Sequence, residues 1–142
     1  MKLELEIVTP ERLVVRDEAD EVQIPGKNGY LGILPGHAPL ITELGVGHIA
    51  YRNNGTTRFL SVAWGFAEVL PRKVTILAET AERAEEIDVA RAQQSRQRAE
   101  ERLKTGASEV DYERAQESLA RAETRLRVAA AATRADVANL VP

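Results

Sequence analysis

The chain has 142 residues, 44% of them hydrophobic, and 19 basic against 22 acidic side chains for a net charge of -3. That length fits one domain, or a small domain with an appendage, and the missing basic excess argues against a nucleic-acid backbone as partner. The absence of cysteine excludes disulfides, thiolate metal sites and a cysteine nucleophile; the two histidines, His37 and His48, lie apart in sequence, which argues against zinc, and no apolar run nears the roughly 18 residues that cross a membrane.

Met1 to Ile7 alternates apolar and polar residues, which reads as a strand rather than a signal or transit segment. Val22 and Ile24 repeat the period-two pattern, and Asn28-Gly29 suits the positive φ of a tight hairpin turn. Tyr30–Leu34 is a short strand stopped by Pro35-Gly36. Segments Val46–Arg52 and Thr56–Val62 flank Asn53-Asn54-Gly55, and Phe66–Leu70 and Val74–Ala78 flank Pro71-Arg72-Lys73. About ten short strands in residues 1–80 predict an antiparallel β-sandwich.

Beyond Thr80 the composition changes. Eight of nine glycines and five of six prolines precede residue 72, whereas residues 81–142 hold fifteen alanines and one glycine, which favours helix. Asp88 is a helix N-cap, and the helix runs to Lys104 before Thr105-Gly106. Ser108 or Asp111 caps the next. There Tyr112, Ala115, Leu119, Ala122, Leu126, Ala129 and Thr133 follow a 3,4 spacing, and Ala92, Ser95, Ala99 and Leu103 answer from the first helix. The short connection makes the two antiparallel, so residues 81–142 predict a helical hairpin. Its alanine seam removes little apolar area. It is either a closely packed, permanent hairpin or one held weakly enough to open for a better partner.

Catalytic motifs are absent: no phosphate-binding glycine loop, no dinucleotide fingerprint and no nucleophile elbow occur. His37 lies in the loop Leu34-Pro35-Gly36-His37-Ala38-Pro39-Leu40, without a serine and acid that sequence order would assign to it. It reads as a loop or interface residue, and the chain as no enzyme. Arg91 and Arg98 lie two helical turns apart, while Arg121 and Arg125 form an i,i+4 pair, each beside seam positions. Either these guanidinium groups converge on phosphate oxygens or they form a solvated face with neighbouring glutamates such as Glu117.

Three motifs in order resemble the epsilon subunit of the F-type ATP synthase. They are Leu31-Gly32-Ile33-Leu34-Pro35-Gly36-His37-Ala38-Pro39-Leu40, Glu68-Val69-Leu70-Pro71 with Val74–Ala78, and Ile87-Asp88-Val89-Ala90-Arg91-Ala92, which is similar to the I/L-D-x-x-R-A motif. The resemblance covers essentially the whole chain. It implies a non-catalytic rotor subunit whose sandwich joins the gamma subunit to the c-ring, and whose hairpin inhibits ATP hydrolysis when it extends into the alpha/beta head. It further implies a regulatory ATP site at Glu82, Ile87, Asp88, Arg91, Ala92, Arg98, Arg121 and Arg125, with ATP an effector rather than a required cofactor and no metal. The subunit interface falls to Gly29, Tyr30, Leu31, His37 and Leu40. Tyr30 stands where relatives often carry Glu, and Trp64 where the run is usually smaller. The expected location is the cytoplasmic face of a bacterial plasma membrane, bound peripherally, or else the stromal side of a thylakoid. The tail from Arg134 to Pro142 has no assigned role. The rival reading is an adaptor in which sandwich and hairpin are purely structural.

Overall fold

A computed structural model describes residues 1–106 and 108–134. Of the tail singled out in the sequence, residues 135–142 lie outside the described residues, as do the side chains of Thr133 and Arg134. Seven strands come first: β1 (Leu3–Val8), β2 (Leu13–Ala19), β3 (Glu21–Gly26), β4 (Gly29–Ile33), β5 (Leu40–Asn53), β6 (Thr56–Leu70) and β7 (Lys73–Arg83). A single 3-10 turn (Ala84–Glu86) leads into helices α1 (Val89–Lys104) and α2 (Glu109–Arg134). β plus α is therefore the class, with the strands first and the helical hairpin second.

The strands join in the order β2-β1-β7-β6-β5-β3-β4. Each pair is antiparallel except β1 with β7, which is parallel. The sheet folds over itself, so β2 meets β5 across the core, where the Tyr51 hydroxyl donates to Asp17 Oδ2 at 3.2 Å. Between the layers lie Leu3, Leu5, Ile7, Ile24, Ile49, Leu60 and Ile76 with their neighbours, all essentially solvent-free. The alternation read from Leu3-Leu5-Ile7 is the inward face of β1.

Seven strands replace the expected ten or so because two of them are long. Thr56–Val62 and Phe66–Leu70, read as separate, are one strand of 15 residues. The chain bends there without ending: Trp64 (φ 58) and Gly65 (φ 124) take left-handed conformations and the ladder resumes on both sides. Only glycine fits at Gly65, where a Cβ would overlap the Leu77 carbonyl. Opposite, β5 follows the bend without a left-handed residue, its ladder skipping Gly45 between the Leu44–Gly65 and Val46–Ala63 pairs. The Asn54-Gly55 turn, with φ 52 and 81, closes β5 on β6 as the sequence predicts.

The helix ends are also as read. The Arg91 N–H donates to Asp88 Oδ1 at 3.1 Å, and Gly106 (φ 66) follows the Thr105 C-cap. Ser108 precedes α2 and caps it, its Oγ accepting the Asp111 N–H at 3.3 Å and donating to Asp111 Oδ2 at 3.0 Å. Along the hairpin seam Ala92, Ala99, Ala115 and Ala122 are buried. A second face of α2 is buried as well, and the seam pattern did not announce it. Val128 packs with Ala50 and Phe59 of the sheet and with Ala84 and Ile87. The hairpin thus lies against β5 and β6 through α2.

Candidate functional site

Small side chains let α1 and α2 approach closely, which leaves long side chains beside the seam nowhere to go but along its edge. Four arginines collect there. Arg98, Arg102, Arg121 and Arg125 line one open groove of about 250 Å³, floored by Ala99 and Ala122 with Ser95 and Ser118 between. Among the described residues its lining holds no carboxylate. Like charges gathered around one groove repel unless a carboxylate, solvent or a bound anion neutralises them, and guanidinium forks match phosphate or carboxylate oxygens.

Three of the four site arginines proposed from sequence therefore meet. Arg91 is exposed at the start of α1 and does not line the groove. Arg102, missed in the sequence, lies one helical turn beyond Arg98, and that i,i+4 spacing was the available signal. Glu82, on β7, reaches α2: its Oε1 is 2.7 Å from Arg125 Nε and its Oε2 accepts from Arg125 Nη2 at 3.3 Å. The Arg125 Nε is shut off from solvent and, despite that short approach, its N–H is aligned on no acceptor. One guanidinium of the groove is thus held by the β domain. Asp88 is occupied as the α1 N-cap. Ile87 and Ala92 are buried, Ile87 beside Val128 and Phe59, and Ala92 at the helix seam.

The hinge into α1 is tied down from the other side. Arg12 makes a two-bond fork to Glu86, with both N–O distances 2.9 Å. The Arg12 guanidinium lowers the Glu86 carboxyl to about 2, opposed by its partial burial and helped by the Arg83 backbone N–H.

The five interface positions expected on the β domain fall into two groups. His37 sits in the exposed β4–β5 loop, where its Nδ1 faces the Ala38 carbonyl at 2.7 Å, and Leu40 opens β5 opposite Val69. Gly29, Tyr30 and Leu31 begin β4, and the Tyr30 hydroxyl reaches His48, beyond the Gly45 bend. Leu31 and Leu40 turn inward against the core. Ile41, the next residue of β5, turns outward and is 71% exposed, as are Phe66 (53%) and Leu77 (56%), which pair across β6 and β7. Strand alternation next to Leu40 was the signal for Ile41. Among the described residues no group of His, Asp and Glu is placed to hold a metal ion, and no helix is long and apolar enough to cross a membrane.

Comparison with known proteins agrees with this architecture. Residues 2–84 match the family described as ATP synthase, Delta/Epsilon chain, beta-sandwich domain, and residues 85–130 its long alpha-helix domain. The ATP synthase epsilon chain of Koribacter versatilis (strain Ellin345) is 72% identical over 102 residues, which is 72% of each chain. That of Solibacter usitatus (strain Ellin6076) is 53% identical over 98 residues, 69% of this chain and 73% of the relative. The fold is shared with a chain of the Euglena gracilis mitochondrial ATP synthase structure (OSCP/F1/c-ring), with a TM-score of 0.77 at 20% identity over 87% of this chain and 78% of that one. Matched along residues 2–130 by both domains of one family and closely similar to its bacterial epsilon chains, this chain belongs to the ATP synthase delta/epsilon family.

Proposed function

We propose that the chain is a central-stalk subunit of a rotary ATP synthase, that its β domain joins the gamma subunit to the c-ring, and that its hairpin is an ATP-responsive brake on hydrolysis in the alpha/beta head. The subunit itself does no chemistry and sits peripherally, on the cytoplasmic face of a bacterial plasma membrane. Family membership supports the stalk assignment, and the outward Ile41, Phe66 and Leu77 supply apolar area for docking on gamma. The brake rests on one observation: the arginine groove between α1 and α2, one of whose members is tethered to Glu82.

A polyphosphate fits that donor set. Arg98, Arg121 and Arg125 would hold the phosphates, and because they come from both helices a bound triphosphate holds the hairpin closed. ATP brings the neutralising charge, so occupancy adds RT ln(1 + [L]/Kd) to the closed state and opposes extension into the head. Calorimetry on the full chain tests this. ATP binds the parent, and Arg98→Ala or Arg125→Ala weakens binding by more than about tenfold, since charge-assisted hydrogen bonds are worth about 1.5–3 kcal/mol each. A parent that takes up no ATP, or variants that bind as tightly as the parent, would remove the nucleotide reading and leave the stalk assignment standing.

A further inference from the structure

The hairpin leans on the sheet next to a histidine that the nucleotide site does not use. His48 lies in β5, with Ser61 of β6 opposite it in the ladder. Its ring is held from two more strands. The Tyr30 hydroxyl of β4 is 3.0 Å from Nδ1 and accepts the His48 backbone N–H at 3.1 Å, while Nε2 faces Gln23 Oε1 of β3 at 3.3 Å. With its oxygen already accepting, the Tyr30 hydroxyl donates to Nδ1 and Nε2–H donates to Gln23, which suits a neutral imidazole. Gly47 makes this fit: a Cβ there would come within 2.5 Å of the Tyr30 hydroxyl.

The fourth side of His48 faces the hairpin. Its ring centroid is 6.5 Å from that of Phe59, and Phe59 packs in the cluster that receives Val128 of α2. Arg127, an exposed side chain next to Val128 on α2, carries the positive charge that opposes a proton on the ring, and its guanidinium donates to the Thr124 hydroxyl at 3.3 Å. Among the described residues no carboxylate pairs with Arg127. Tyr30, Gln23, Phe59 and Ser61 bring no charge to offset a cation at His48.

We propose that His48 is a proton-operated latch between sheet and hairpin: a proton on its ring sets a second positive charge against Arg127 and drives α2 off β5 and β6. Acidification would then release the hairpin by a route separate from nucleotide. The direction is fixed by linkage. Burial, and next the Arg127 charge, hold the His48 pKa below its ordinary 6.5 in the docked state. Release takes away the Arg127 charge and the burial that α2 supplies, while the contacts to Tyr30 and Gln23 stay, so the released state binds the proton more readily than the docked one. Docking is at full strength when the ring is neutral in both states and weakens with acidification below the ordinary value, by at most about tenfold per pH unit for one proton.

This inference rests on the hairpin being able to leave the sheet, as in the function proposed above, but not on ATP binding. With no native cysteine, spin labels at Thr56→Cys and Ala130→Cys, both exposed, report the sheet-to-α2 distance in the full chain without nucleotide. Between pH 8 and 5.5 the long-distance population of the parent grows. His48→Gln and His48→Phe hold it constant, and His37→Gln, which alters the other histidine, opens as the parent does. In the proton NMR titration of the ring, Arg127→Gln raises the His48 midpoint. A parent distance that ignores pH, His48 variants that open like the parent, or an unmoved midpoint in Arg127→Gln overturns the latch. Acid opening in a chain that binds no ATP would sink the nucleotide reading alone, and ATP binding without acid opening would sink the latch alone.

Discussion

Val128 offers the most direct measure of how firmly the hairpin is held. It is 2% exposed and packs with Phe59 and Ala50 on the sheet and with Ile87 at the hinge. Val128→Ala removes two buried carbons, about 1.6 kcal/mol at about 0.8 kcal/mol per CH₂. Alanine is also the better helix former, but that gain belongs to α2 wherever it lies and cancels between docked and released states. The docked-to-released ratio should therefore fall about 15-fold while helical circular dichroism holds or rises. The Thr56–Ala130 label pair reads the ratio directly. Ala130→Ser, at an exposed position of the same helix, is a control measured with the second label moved to Glu123→Cys. An unchanged distance distribution in Val128→Ala would mean that this cluster does not hold the hairpin, and the buried second face of α2 would then be incidental to docking.

Other consequences can be checked separately. Glu86, its carboxyl lowered to about 2 by Arg12, contributes stability that is complete above the ordinary value near 4.5 and lost as pH falls toward 2. In urea titrations Glu86→Gln should cost about 1 kcal/mol at pH 6, a figure discounted for the exposed Arg12, and nothing near pH 2; an equal cost at both would refute the fork as its source. Gly65→Ala should lower stability by about 2–4 kcal/mol, because it combines a left-handed φ with an overlap on the Leu77 carbonyl, and a thermal midpoint within a degree of the parent would contradict the bend. Truncation after Glu86, which spares the Leu60–Arg83 pairing at the end of β7, should leave a β domain that assembles into the complex and relieves inhibition of ATP hydrolysis. If hydrolysis stays as slow as with the full chain, under conditions where the full chain inhibits, the hairpin is not the brake.

Local chemistry marked much of this protein in advance. Asn54-Gly55 can close only a tight hairpin because both residues take positive φ. Asp88 and Ser108 cap helices with their own oxygens, and the buried alanines Ala92, Ala99, Ala115 and Ala122 repeat at the period of a helix pair. Each of these signals is complete within a few residues of chain. The gathering of Arg98, Arg121 and Arg125 also followed from spacing, since residues flanking a seam share its edge.

Tertiary structure decided what depends on distant neighbours. Phe66 and Val62 belong to one strand because Leu77 and Ala81 continue the ladder through a bend that, by itself, reads as a turn. The parallel pairing of β1 with β7 joins the two ends of the β domain and leaves no mark in either segment. The second face of α2, with Thr124 and Val128 buried, was hidden because the seam already accounts for the helix's apolar period and alanine is compatible with burial or exposure. His48 shows the same division: as one letter it was a residue at a strand start, and only the fold sets Tyr30, Gln23 and Phe59 around it and brings the charge of Arg127 from a helix almost 80 positions away.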